Sequence, residues 1–391
     1  MLSAFHSARK SLGRLVLALL APLFALSLSA CVPSEGPSAG GPSTREGVQV
    51  ALLVPGGGSG ADQVLADSLV NAARMAVADL GGVKIDLRIY QTAGNPGQAS
   101  AQAILAADEG AQVILGPVYA AEANAVGVAM AARGINVLAF SNNTAIAGGN
   151  VFVLGPTFDN SARRVASYAV RAGKSQILIV SDQNTAGETA RAAIQRGVSA
   201  AGGTVVGAAS YEFSQSGVSA AAPGIVQKAR ETGATALFLT ADTAGALPLL
   251  SQSLVDAGLD RNAMKFLGLT RWDIPAQTLS LPALQGSWFA LPDPGLYAQF
   301  QSRYQGAYGN PPHPIAGLAY DGIAAIGALA KQRRDLSAGS LTQGAGFAGV
   351  SGIFRLRPDG SNERGLAIAE IRQNQVVVID PAPRSFAGAG F

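Results

Sequence analysis

Val48-Gln49-Val50-Ala51-Leu52-Leu53-Val54 carries one polar side chain in seven and runs straight into Pro55-Gly56-Gly57-Gly58-Ser59-Gly60. So apolar a run, stopped by a glycine loop, predicts a strand covered on both faces. Beyond the loop, Leu65, Leu69, Ala72, Ala73 and Ala76 recur at helical spacing, which predicts a helix over 62–80. The alternation then repeats. Strands are expected at 83–90, 112–115 and 135–140, with helices at 97–108 and 120–132 between them. A second series follows: helix 160–172, strand 176–180, helix 185–201, strand 204–211, helix 220–232, strand 234–239, helix 243–257 and strand 264–269. Helices 297–308 and 316–331 precede three strands near 352–357, 366–372 and 376–379. These last read as an antiparallel meander turning at Pro358-Asp359-Gly360.

Apolar strands separated by helices mean parallel sheets flanked by helices. About 340 ordered residues are too many for one such core, so two α/β lobes are expected. The expected division is 48–156 plus 273–333 for the first lobe and 157–272 plus 334–384 for the second, with a tail at 385–391. A multi-strand hinge would cross near Gly155-Pro156, 270–273 and 333–337. No repeat at solenoid spacing is visible.

Composition narrows function. The chain of 391 residues is 48% hydrophobic and 14% charged, a globular mixture. Its formal charge of +3 is a property of the first thirty residues, where Arg9, Lys10 and Arg14 stand without an acid. Setting those three aside leaves 25 bases against 25 acids, so no basic footprint for nucleic acid remains. One cysteine, Cys31, and two histidines, His6 and His313, exclude disulfide frameworks, cysteine zinc sites and paired-histidine metal sites. No cofactor is expected. His313 stands between prolines without a G-x-S-x-G serine, and reads as structural; the chain is read as a non-enzyme.

Residues 1–30 read as a signal peptide: three bases, then an apolar run ending in small residues. Leu28-Ser29-Ala30-Cys31 resembles a lipobox, in which Cys31 is lipidated. Residues 31–47 are a Gly/Pro/Ser tether spanning about 20 Å as a coil. That implies a periplasmic body held at a membrane. Val32 favours the outer membrane, with the inner membrane as the alternative.

Ligands of open α/β sheets sit beyond the carboxyl ends of the strands. Four loops qualify. The first, Gly56 to Ala61, fits G-x-G-x-x-A, but the next strand ends in Tyr90-Gln91 without the acid a dinucleotide site needs. Gly116-Pro117-Val118-Tyr119 presents a phenol. Ser141-Asn142-Asn143-Thr144 clusters hydroxyls and amides that could hold a small polar ligand or cap a helix. Ser181-Asp182-Gln183-Asn184-Thr185 is similar. Tyr119, Ser141, Asn142, Asp182, Asn184, Asp242, Arg271 and Tyr320 are the candidate ligand contacts in the cleft between lobes. Arg271 could equally pack a hinge, and Tyr320 opens a helix whose apolar face is core.

Leu53-Val54-Pro55 with its glycine loop, Val113-Ile114-Leu115-Gly116-Pro117, Val137-Leu138-Ala139-Phe140-Ser141, Leu318-Ala319-Tyr320-Asp321 and Val350-Ser351-Gly352-Ile353-Phe354 occur in an order that resembles the type I periplasmic binding proteins of the Leu/Ile/Val-binding kind. The resemblance covers 48–379. Within that family the turn Ala147-Gly148-Gly149-Asn150 and the stretches 267–273 and 284–292 are most similar to the penicillin-binding protein activators. It implies a lipoprotein regulating peptidoglycan synthesis with a synthase as partner. The alternative it implies is a substrate-binding component of a branched-chain amino acid ABC transporter, with a permease and a small polar ligand as partners. Amino-acid binders of the family carry a Ser-rich segment where this chain reads Val118-Tyr119-Ala120-Ala121. They also carry an acid for the ligand ammonium near 268–271, where none occurs.

Overall fold

The computed structural model describes residues 47–386. The leader, Cys31 and all but the last residue of the tether lie outside the described residues. The first sheet is built from β1 (Val48–Val54), β2 (Ile85–Gln91), β3 (Val113–Leu115), β4 (Asn136–Ala139) and β5 (Val151–Val153). They lie in the order β2-β1-β3-β4-β5, all parallel. Helices α1 (Gly60–Asp79), α2 (Pro96–Asp108) and α3 (Ala120–Ala131) connect them.

The apolar runs are explained by the pleat, which sends successive side chains to opposite faces. Val50, Leu52 and Val54 enter one hydrophobic cluster with α1 residues Leu65, Leu69 and Ala73. Ala51 and Leu53 enter another with Ala99, Ala103 and Val126 of α2 and α3. Helix starts are locked locally. Ser59 accepts from the Asp62 amide at 3.2 Å and Asp62 accepts back from the Ser59 amide at 3.1 Å, a reciprocal cap.

The second sheet follows α4 (Phe158–Arg171). Its parallel part is β6 (Gln176–Asp182), β7 (Thr204–Tyr211), β8 (Ala236–Leu239), β9 (Lys265–Gly268) and β10 (Trp288–Leu291), joined in part by α5 (Thr185–Ala200), α6 (Gln215–Glu231) and α7 (Leu247–Asp256). The chain then runs through α8 (Pro294–Tyr308), α9 (Gly317–Lys331) and short α10 (Ala338–Leu341). It finishes with β11 (Phe347–Gly349), β12 (Gly352–Leu356), β13 (Asn362–Arg364), β14 (Ala367–Arg372) and β15 (Gln375–Asp380). The second sheet has the order β15-β14-β10-β9-β8-β6-β7, with β14 antiparallel to both its neighbours. The pleat divides it as it divides the first: Leu178 and Val180 face one cluster, Ile177 and Ile179 the other.

Three expectations need correction. Trp288–Leu291, placed with the first lobe inside 273–333, pairs with β9 and β14 in the second sheet. Leu336, Leu341, Phe347, Phe354 and Leu356, placed with the second lobe inside 334–384, pack in the core of the first. The closing meander is split: β12 pairs with β11 and β13 in a separate antiparallel sheet, while β14 and β15 extend the second. The chain therefore crosses at 154–157, as expected near Gly155-Pro156, and then at 292–293 and 365–366 rather than at 270–273 and 333–337. The breaks at 270–273 and 333–337 are turns within a lobe. Strand pairing, which is non-local, decides where the chain changes lobe.

Candidate functional site

The three crossings meet at one place, where side chains of β13 tie the third to the first and the Asp293 amide of the second donates to the Ser351 carbonyl at 3.3 Å. Asn362 donates its amide to the carbonyls of Val153 (2.8 Å) and Gly155 (2.9 Å), and its own carbonyl accepts from Asn160 at 2.9 Å. Arg364 donates Nε to the Leu154 carbonyl at 3.1 Å and Nη1 to Asp321 at 3.1 Å. This ion pair is buried, with side-chain exposures of 5% and 0%. Asp321 Oδ1 also accepts from the Val350 amide at 2.8 Å. A Cβ on Gly349 would lie 2.0 Å from that oxygen, so glycine is required for so close an approach.

Beside this junction lies a cavity of about 300 Å³, at the lower end of the usual size for a small-molecule site. Both lobes line it. Asn142, Ile315 and Leu318 come from the first, Leu269, Thr270 and Arg271 from the second, with Arg364 and Leu366 at the crossing. Its wall is mainly apolar, and among the described residues no acidic side chain lines it. Arg271 is half-buried and held by Asp273, with Nε to Oδ1 at 2.9 Å and a second contact from Nη2. The Thr270 hydroxyl is buried without a hydrogen-bond partner among the described residues.

Of the eight candidate residues, only Asn142 and Arg271 line this cavity. Ser141 is buried beneath it, where its hydroxyl accepts from the Asn143 amide at 3.1 Å and locks the turn. Asp182 and Asn184 line a separate recess of about 680 Å³ in the second lobe, with Arg191 and Lys228. Asn184 caps α5, accepting from the Gly187 amide at 2.7 Å. Asp182 accepts from the Tyr211 hydroxyl, whose pKa burial and that carboxylate push up. Asp242 is exposed, and its carbonyl accepts from the Leu247 amide at 3.2 Å.

Tyr119 precedes α3, and its hydroxyl donates to Asp62. That bond, with burial, pushes the phenol up to about 12; the same bond, with those from Ser59, holds Asp62 below the usual carboxylate range. Tyr320 lies away from the cavity, donating to Asp79 at 2.6 Å beside Arg303. Most of the polar residues in the loops are thus occupied by capping and bracing, which use the same residue types as ligand recognition.

Arg364, Asn362, Thr270 and Tyr297, which also lines the cavity, were not singled out from the sequence. Asn362 and Arg364 are more than 200 residues from the carbonyls they brace, so no local pattern marks them.

Residues 47–375 match the family model for the periplasmic binding proteins, and the chain belongs to that family. Its fold is shared with solved structures of the Leu/Ile/Val-binding kind. A protein of Rhodospirillum rubrum assigned to branched-chain amino acid ABC transport is 18% identical with a TM-score of 0.71, covering 85% of this chain and 100% of its own. A branched-chain amino acid ABC transporter periplasmic ligand-binding protein from Burkholderia xenovorans LB400 is 18% identical with a TM-score of 0.66, covering 87% and 97%. An ABC transporter substrate-binding protein from Desulfitobacterium hafniense, in complex with Leu, is 17% identical with a TM-score of 0.62, covering 85% and 100%. No curated protein matches the chain. At these identities the likeness shows the fold. Among the described residues no group of acids, histidines or cysteines could hold a metal ion, and no helix is long and apolar enough to cross a membrane.

Proposed function

We propose that this protein is a non-enzymatic solute receptor of the periplasm, anchored through lipidated Cys31, that delivers a small molecule to an ABC permease; a permease partner calls for the inner-membrane alternative of that anchor. The observation carrying this reading is the cavity where both lobes and all three crossings meet. A ligand held there touches both lobes, so it favours whichever arrangement of the lobes makes both sets of contacts. The solved relatives named above are transport proteins, which favours the receptor over the synthase activator that the sequence resemblance puts first.

The test is a thermal-shift screen of the purified full chain against amino acids, carboxylic acids, sugars and muropeptides. A ligand that binds only the folded state at 100 times its Kd adds about 2.7 kcal/mol, which shifts the midpoint measurably. One small solute raising the midpoint is the expected result. No shift with any compound, together with cross-linking of a peptidoglycan synthase in the cell envelope, would replace the receptor with the activator.

A further inference from the structure

We propose that the junction cavity takes a small carboxylic acid with an apolar body and no ammonium group, its carboxylate seated on Arg271. This rests on the receptor reading and names the ligand class of that same site. Three observations carry it.

The first is the lining. Leu269, Ala290, Leu291, Ile315, Leu318 and Leu366 supply apolar wall, and two guanidinium groups, Arg271 and Arg364, are the charged side chains in it. Burying a ligand ammonium among them leaves a cation without a counter-charge, which is costly. A carboxylate meets the opposite situation.

The second is how differently the two arginines are used. Arg364 is spent on Leu154 and Asp321. Arg271 gives Nε and Nη2 to Asp273, and Nη1 has no partner among the described residues. A guanidinium held along one edge by a carboxylate keeps donors on its other edge for a second one.

The third is rigidity. Trp272 is fully buried in the second-lobe core, and a Cβ on Gly268 would lie 2.6 Å from its ring. Its indole N–H reaches the Ala241 carbonyl at 3.4 Å. The residues flanking Trp272 are therefore fixed, and Arg271 needs little ordering when a ligand arrives.

The experiment is calorimetric titration of the full chain with two matched sets: 4-methylpentanoate, 4-methylpentanamide and leucine, then benzoate and benzamide. The acids are expected to bind about tenfold or more tightly than the amides and leucine, the loss of one charge-assisted contact being of that order. R271Q should remove the preference of acid over amide while leaving the amide's weak affinity alone. R271K, which keeps charge without the fork, should retain part of it, and the R271Q/D273N pair guards against misfolding from an unpaired Asp273. Leucine binding as tightly as 4-methylpentanoate, or an acid preference that survives R271Q in folded protein, would overturn the ligand class and leave the receptor standing. Binding of a sugar or muropeptide alone would do the same. Failure of every compound, in these sets and in the thermal screen, would take down both.

Discussion

Among the described residues two carboxylates, Asp321 and Glu122, are fully buried, and their surroundings differ. At the junction, Asp321 faces Arg364 at 3.1 Å and accepts the Val350 amide. In the first lobe, Glu122 in the first turn of α3 has the Tyr119 amide at 3.4 Å and no cation against it, and its Oε1 has no partner among the described residues. The junction keeps a charge because the pair does positional work: Arg364 joins the third crossing to the first through Leu154 and to α9 through Asp321. Glu122 has no such task. Burial pushes its pKa up, with the Thr92 hydroxyl and Tyr119 amide only partly opposing. A buried acid is costly in either place, and burial pushes both pKa values up; Arg364 and the Val350 amide oppose that at Asp321, whereas no cation does so at Glu122.

Breaking the junction pair should have the largest effect. R364M leaves Asp321 buried without a cation and the Leu154 carbonyl without its donor, a loss of about 3–5 kcal/mol by urea denaturation. The R364M/D321N double variant should recover part of that loss, because it removes the uncompensated charge. A single-variant loss below about 1 kcal/mol would show that the pair does not brace the crossings.

Neutralising the other acid should work in the opposite direction. The folded pKa of Glu122 lies above its unfolded value, so the native state holds the proton longer. The stability this gives is complete below the unfolded pKa and is lost as pH rises through the folded one. E122Q should therefore match wild type below about pH 4 and become the more stable protein as pH rises. Paired melting curves across pH 4–8 measure the difference. A wild-type protein more stable than E122Q at pH 8 would mean that the carboxylate has a counter-charge after all.

The smallest effect should come from the rim above Glu122. Y119F removes the hydroxyl that donates to half-exposed Asp62 and should leave the melting temperature unchanged. Its signature is local. The Asp62 carboxyl, held low first of all by that bond, should titrate closer to its ordinary value when followed by carboxyl NMR. An unmoved Asp62 would assign the lowering to Ser59 instead.

The lobes were legible because their evidence is local. Val48–Val54 is matched to the residue, and helix boundaries such as 60–79 against the expected 62–80 differ by one or two residues. Strands β10 and β13 were missed for a related reason. Four residues, Trp-Phe-Ala-Leu, and three, Asn-Glu-Arg, are too short to show a period, and they are strands only because neighbours distant in sequence pair with them. The candidate site was less legible. Ser141, Asn184 and Tyr119 have the chemistry of ligand contacts, but each lies next to a turn or helix start that uses the same atoms.

Periodicity alone was enough to establish two α/β lobes of mainly parallel sheets, and the ordered motifs from Leu53-Val54-Pro55 to Val350-Ser351-Gly352-Ile353-Phe354 carried the resemblance to the periplasmic binding proteins. These properties depend on side-chain type and spacing along a few residues. Tertiary structure decided which strands share a sheet, where the chain crosses between lobes, and which arginine is spent and which is free. Arg271 and Arg364 are alike in sequence. One lies against Asp273, two residues away, and the other reaches a carbonyl and a carboxylate brought in from 210 and 43 positions along the chain, contacts that only folding creates.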